Sequence, residues 1–255
     1  MRKAMLPKAV KISALSVSAK PTDSVGSYMP VFKAGVSIAK SLAAALNVPC
    51  YETSHQRGHL QAALLNRRQM PSEYLALHLS GGTTDLLIIS SEKIIPIANS
   101  LDLHAGQLID RIGVRLGLQF PSGPDLETLA KRGVSTGKYC VNLKDLNCHL
   151  SGAEAQAIRD VLSGLMSKED IAAEVFDLLA RTVFQMIYAA KKETGLSEVL
   201  IFGGVASSDL FRNLLKNQIN VHQSGLNVMF GLPEYSGDNA VGVALIGAIH
   251  YFNKL

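Results

Sequence analysis

The sequence predicts an α/β protein in which strands alternate with helices and glycine turns at strand ends form ligand sites. Three observations carry this prediction. Segments of period-two or continuous apolar character alternate with segments of helical period. Two of the apolar segments, ending at Leu79 and Phe202, are followed by glycine pairs, Gly81-Gly82 after Ser80 and Gly203-Gly204 directly. The 255 residues are 47% hydrophobic, ample for a large buried core.

In order along the chain, Lys11 to Ala19 alternate as a strand does, and the PTDSVGSYMP stretch after them is rich in turn formers. From Phe32 to Leu46 apolar residues recur every three or four positions, and Asn47-Val48-Pro49 ends that helix before a short strand at Cys50-Tyr51. The next helix carries His55 and His59 and continues through Leu60, Leu64 and Leu65. Tyr74 to Leu79 and Asp85 to Ser90 read as a hairpin closed by Ser80-Gly81-Gly82-Thr83-Thr84, with a third strand over Lys93 to Ala98. Ala105 to Leu116 is a helix, Gly117 to Gly123 a loop, and Pro124 suits the first turn of another helix. Gly133 to Ser151 looks irregular, with room for short strands.

Lys168 to Thr194 is the longest amphipathic helix, with Ile171, Val175, Leu178, Leu179, Val183, Met186 and Ile187 on one face and Gly195 at its end. Val199 to Phe202 is a fully buried strand, followed by Gly203-Gly204-Val205 and a helix from about Asp209. A last strand near Val228-Met229 precedes Pro233 and a helix from Asn239 to Phe252.

The formal charge is +4, with Lys and Arg scattered, a balance that suits an anionic partner such as RNA without requiring one. Cys50, Cys140 and Cys148 form no CxxC pair and are odd in number, which excludes a disulfide framework or zinc ribbon and points to a reducing cytoplasm. The apolar opening resembles a secretion signal only superficially, since Lys8 and Lys11 interrupt it. No later run approaches the roughly 20 uncharged residues of a membrane helix, so no membrane partner is expected.

His55 and His59, four residues apart on a helix, point to the same side and can share one metal ion. A bare HxxxH recurs by chance, with His55 as a helix cap and His59 as a half-buried packing residue. It differs from the HExxH of metalloproteases: Gln56 and Arg57 follow His55, so no local carboxylate can activate water. Ser80 to Thr84 has little side-chain bulk, letting backbone N–H groups approach phosphate oxygens, unless it is an ordinary hairpin turn. Gly203-Gly204-Val205 offers a second phosphate- or nucleoside-sized gap beside a helix N-terminus, or simply serves helix packing. Asp238 is an N-cap for the final helix by default, and is also the carboxylate that two neutral imidazoles lack for binding Fe(II) or Zn(II). Asp110, beside Arg111, is either half of a surface ion pair or a ribose ligand.

Taken in order, HQRGH, LSGGTTDLL, LDLHAGQLIDRIGVRLGLQFPSGP, LIFGGVASSDLFRNLL and YSGDNAVGVALIGA resemble the TsaD/Gcp family. These are tRNA threonylcarbamoyl transferases once called O-sialoglycoprotein endopeptidases. The resemblance runs from about Ile12 to the C-terminus, closest to a divergent bacterial branch. It implies an actin-like, sugar-kinase-like (ASKHA) fold with two lobes around a nucleotide cleft, here residues 1–73 and 74–255. By motif match His55, His59 and Asp238 would hold a divalent metal. His78, Leu79, Ser80, Gly81 and Gly82 would contact the adenylate and its acyl group, and Asp110 and Gly123 the nucleoside. Gly203, Gly204 and Ser208 would close over the purine.

Three departures from the family pattern stand out. Ser208 replaces the usual Asn and cannot offer both an amide donor and an amide acceptor. Arg57 takes the place of the usual Glu, which lowers the cation affinity expected of the histidine pair. The chain begins without the family's opening strands and acidic turn, so an incomplete first lobe is expected, swapped or completed by a paralogous partner subunit or a homodimer. The implied activity is metal-dependent transfer of threonylcarbamoyl from its adenylate to N6 of adenosine in tRNA. A metallopeptidase and a non-catalytic nucleotide-binding subunit are the rival readings; a kinase rests on fold class alone.

Overall fold

The computed structural model describes residues 11–65, 70–90, 93–237 and 240–253. The contacts divide the chain into two compact units, Met1–Leu65 with Asp238–Leu255, and Asn66–Gly237.

The first unit opens with β1 (Leu15–Lys20), α1 (Pro30–Leu46), β2 (Cys50–Ser54) and α2 (His55–Ala63). The strands pair in parallel from Leu15 opposite Cys50 to Lys20 opposite Ser54, and α1 is the crossover that parallel pairing demands. Pro30 starts α1 where a missing N–H costs nothing, and Asn47, in the left-handed region at φ 53°, ends it by donating its N–H to the carbonyls of Ala43 and Ala44. Between β2 and α2 there is no loop. Ser54 ends the strand and caps the helix, its hydroxyl accepting from the Arg57 amide at 3.2 Å. The cap is therefore Ser54 and not His55.

The second unit begins with an antiparallel meander, β3 (Tyr74–Leu79), β4 (Thr84–Ile89) and β5 (Ile94–Asn99), followed by α3 (Ala105–Arg115) and α4 (Gly123–Ala130). The two-residue strands β6 (Leu143–Lys144) and β7 (Asn147–Cys148) lie in the stretch read as irregular. Next come α5 (Ser151–Ser163), α6 (Lys168–Thr194), β8 (Glu198–Phe202), a 3-10 turn over Val205–Ser207, α7 (Asp209–Val221) and β9 (Asn227–Phe230). β8 runs parallel to both β3 and β9, giving one five-stranded sheet in the order β5-β4-β3-β8-β9.

One face of that sheet, through Leu75, Leu77, Leu79 and Leu86, packs into a core with Leu108 and Ile112 of α3 and Phe176, Leu179, Val183 and Ile187 of α6. All seven apolar positions assigned to one face of α6 are buried. Ser167 caps its start and Gly195, at φ 76°, its end. Glu174 on α6 is fully buried, and its carboxylate accepts from the Thr136 amide at 2.6 Å and the Thr136 hydroxyl at 2.8 Å. That carboxylate ties the irregular 133–139 stretch to the helix.

The chain ends with α8 (Ala240–Phe252), which packs in the first unit against α2 and β1. A single boundary at residue 73 therefore misses the return of the last helix to the unit in which the chain begins. Helix α5 is likewise absent from the elements that periodicity predicts. Its buried positions are Ala153, Ala157 and Asp160, two small side chains and a carboxylate, which give an apolar stripe too weak to stand out from its neighbours.

Candidate functional site

In the first unit, α2 presents both histidines on one side. His55 Nε2 and His59 Nε2 approach to 2.9 Å, with the rings crossing at 82°. Adjacent ligands of an octahedral ion bonded at about 2.1 Å stand about 3 Å apart, so the two nitrogens fit one divalent ion. The same separation suits a hydrogen bond between the rings with one donating. No cluster of three or more His, Cys, Asp or Glu side chains suited to a metal occurs among the described residues. Asp238, the third ligand suggested by the motif, lies outside them. Arg57, in the first turn of α2, is ion-paired with Asp23, which also faces Lys20 at 3.8 Å. The turn-rich loop after β1 thus supplies a carboxylate that offsets the Arg57 charge.

In the second unit a cavity of about 380 Å³ is lined by Gly81, Asp110, Gly123, Gly204 and Ser208, five residues from three separate motifs. The sheet and α3 bring them together. Gly106, on the first turn of α3, lies so close to the SGG turn that a Cβ there would stand 2.6 Å from the Gly81 nitrogen. Its own amide donates to the Ser80 carbonyl at 3.1 Å. Gly203 has φ +102°, and a Cβ on it would meet the Leu79 carbonyl oxygen at 2.3 Å. Only glycine fits between β8 and β3 at that point.

Asp110 does not pair with Arg111. Its Oδ1 accepts from the Ser122 amide at 2.7 Å, while Arg111 reaches Glu154 at 3.2 Å. The ion-pair explanation for Asp110 is thereby removed, and its carboxylate is fixed at the cavity wall.

The remaining motif residues do not line the cavity. Leu79 is fully buried in the core, and Ser80 closes the β3–β4 turn by donating its amide to the Thr83 carbonyl at 2.8 Å. Gly82 donates to the Ser80 hydroxyl at 3.3 Å on the exposed side of that turn. His78 stacks on Phe202 of the neighbouring strand, ring centroids 4.7 Å apart and nearly parallel.

Glu127 belongs to the cavity wall although no motif singled it out. Burial pushes its carboxyl up, but the Lys131 ammonium at 2.9 Å, the Leu210 amide at 2.9 Å and the Ser208 hydroxyl together hold it below the ordinary carboxylate value. In the sequence it resembles a helix-surface partner of Lys131 at i+4. The available signal was its place one helical turn after Gly123. Phe176, outside every motif, and Ser207, inside LIFGGVASSDLFRNLL beside Ser208, also line the cavity.

A family model described as TsaD, tRNA N6-adenosine threonylcarbamoyltransferase, matches residues 4–245. The chain belongs to this family. Among curated TsaD-family relatives, a protein named tRNA N6-adenosine threonylcarbamoyltransferase from Vesicomyosocius okutanii is 35% identical over 84% of this chain and 63% of its own length. Proteins of the same name from Thermosipho melanesiensis and Sulfurihydrogenibium are 29% and 30% identical over 84% and 87% of this chain, each covered over 66% of its length. The chain thus spans about two-thirds of the TsaD-family relatives it matches.

Among solved structures, HypF of T. kodakarensis aligns with a TM-score of 0.68 at 15% identity, covering 89% of this chain and 40% of that one. The activator of 2-hydroxyisocaproyl-CoA dehydratase from Clostridium difficile, solved with bound ADPNP, aligns at 0.52 and 16% identity, covering 80% and 70%. These likenesses show the fold, α/β of the actin-like, sugar-kinase-like class.

Proposed function

We propose that this chain carries the donor-nucleotide and metal sites of a threonylcarbamoyl transferase that modifies N6 of adenosine in tRNA. The observation that carries the reading is the meeting of Gly81, Asp110, Gly123, Gly204 and Ser208 in one cavity, with Glu127 beside them. These residues are dispersed in sequence, and in the TsaD family they match the adenylate-binding motifs. The activator relative in the fold class was solved with the nucleotide ADPNP.

In this reading the apolar walls of the cavity take the base, and the carboxylates of Asp110 and Glu127 accept from ribose hydroxyls. The backbone amides of the Gly81 and Gly204 turns face the phosphate, where negative charge grows as AMP leaves. The adenine N6 of tRNA forms the new C–N bond, the acyl–phosphate C–O bond breaks, and a proton departs from N6. His55 and His59, with Asp238 by motif match, would hold a divalent ion, Fe(II) or Zn(II), which would supply Lewis-acid polarisation of a carbonyl. The net charge of +4 favours a tRNA backbone, and a tRNA substrate assigns the reaction to the cytoplasm. No helix among the described residues is long and apolar enough to cross a membrane. A peptidase reading finds no support. The relatives are named transferases, and HQRGH carries Gln56 where the water-activating glutamate of HExxH would stand.

Calorimetric titration of AMP into the full chain tests the nucleotide site. Gly204 has right-handed helical backbone angles, φ −59° and ψ −40°, and open space where a Cβ would stand, so Gly204→Leu folds and fills the cavity. Saturable AMP binding that this variant abolishes is the expected result; no binding by the parent chain overturns the reading. Separately, Zn(II) uptake by the parent and its loss in His55→Ala test the metal limb.

A further inference from the structure

Resting on the nucleotide reading above, the polar inventory of the cavity adds a statement about which nucleotides it accepts. Its side-chain lining consists of apolar groups, two carboxylates and two serines. Both serine hydroxyls are committed within the protein. Ser207 donates to the Gly204 carbonyl, closing the 3-10 turn. Ser208 is the N-cap of α7, its oxygen accepting from the Phe211 amide at 3.1 Å. Its proton is directed at Glu127, where it contributes to holding that carboxyl below its ordinary value.

The carboxylates are anchored but not saturated. Asp110 Oδ1 takes the Ser122 amide, and Glu127 Oε1 takes both the Leu210 amide and the Lys131 ammonium. Each keeps acceptor capacity towards the cavity, and neither can donate when ionised. Two acceptor groups suit the vicinal hydroxyls of a ribose, which are donors. For the base there remain Ile109, Pro121, Pro124, Val205 and Phe176, surfaces that bind a flat ring by packing and have no hydrogen-bonding preference.

We propose that this cavity is selective for the ribose of a purine ribonucleotide and indifferent to the purine, taking guanine and adenine nucleotides alike. The physical reason is that discrimination between bases comes from groups that the wrong base leaves unpaired. Here the serine hydroxyls are already paired, so neither purine strands a side-chain donor in the wall. An amide at position 208 would change this. Asn has a donor and an acceptor on one planar group, matching the paired donor and acceptor on one edge of adenine and mismatching guanine at the same place. Asn is also as good an N-cap as Ser, so the start of α7 survives the exchange.

The test is calorimetric titration of AMP, GMP and 2′-deoxy-AMP into the full chain and into Ser208→Asn. For the parent chain, AMP and GMP dissociation constants within about threefold are expected, with 2′-deoxy-AMP weaker by roughly tenfold, the scale of one lost hydrogen bond to a charged group. In Ser208→Asn the preference for AMP over GMP should rise to about tenfold or more. An AMP preference above about tenfold in the parent chain overturns the inference and leaves the nucleotide reading standing. Equal binding of AMP and 2′-deoxy-AMP overturns the ribose half. Binding of no nucleotide overturns both this inference and the proposed function.

Discussion

Replacing Gly242 with alanine should loosen the helix that carries the histidine pair. Gly242 lies on the first turn of α8, and a Cβ there would stand 1.8 Å from the Gly58 carbonyl oxygen and 2.9 Å from the Ala62 nitrogen. Gly58 lies between His55 and His59 on α2, so the contact is backbone against backbone with no flexible side chain to yield. Restoring an ordinary carbon–oxygen contact of about 3.3 Å requires the helices to part by about 1.5 Å. A gap of 0.5–1 Å already forfeits roughly a quarter to a half of each contact's dispersion energy.

Overpacking of this kind costs about 1–3 kcal/mol, and the backbone nature of the contact puts Gly242→Ala at the upper end. Alanine's helix propensity returns at most about 1 kcal/mol, leaving a net loss of roughly 2 kcal/mol. Gly152, on the first turn of α5 with nothing within 4 Å of where a Cβ would stand, is the control. Gly152→Ala should be neutral or stabilising by up to about 1 kcal/mol. Urea denaturation followed by far-UV circular dichroism reads both. A Gly242→Ala variant as stable as the parent would refute the argument that the α2–α8 backbone approach is tight.

Three further outcomes follow from the second unit. The Asp102 carboxyl would be raised by burial, but hydrogen bonds from the Ser151 hydroxyl and from the amides of Leu150, Leu103 and Ser151 bring it from 3.8 down to about 2. Because the folded value is depressed, its contribution is complete above about pH 3.8 and is lost as pH falls through about 2. Asp102→Asn should therefore flatten the acid limb of the stability profile and, after solvent screening, cost about 1 kcal/mol at neutral pH in chemical denaturation. Glu174→Ala leaves the Thr136 amide and hydroxyl without their acceptor, and should cost about 3 kcal/mol and expose the 133–139 stretch to limited proteolysis. Arg212 donates to the carbonyls of Ala206 at 2.6 Å and Gly231 at 2.8 Å and covers the Phe230 ring at 5.1 Å. Arg212→Ala should lower stability by roughly 2 kcal/mol and weaken AMP binding several-fold by freeing the 205–207 turn, measured by scanning and titration calorimetry.

Residues whose roles are local were legible from sequence. The β3–β4 hairpin follows from alternation around SGGTT, and α6 follows from its apolar face and glycine stop. The convergence of His55 and His59 follows from their spacing along one helix. What escaped was non-local or low in contrast. Helix α5 buries alanines, whose small apolar surface leaves a weak pattern. Glu127 drew no notice because the Leu210 amide that donates to it is 83 positions away in the chain.

The sequence alone determined the α/β class, the order of the strands and helices apart from α5, the histidine pair on one helix and the ordered motifs of the TsaD family. Periodicity, turn chemistry and motif spacing are properties of neighbouring residues, so they need no tertiary information. Only the tertiary structure decided that α8 returns to pack on α2, and that Asp110 is held by Ser122 instead of Arg111. It alone showed that both serine hydroxyls of the cavity are already committed. Each of these depends on contacts between distant segments, whose partners are set by packing of the whole unit and not by the local chain.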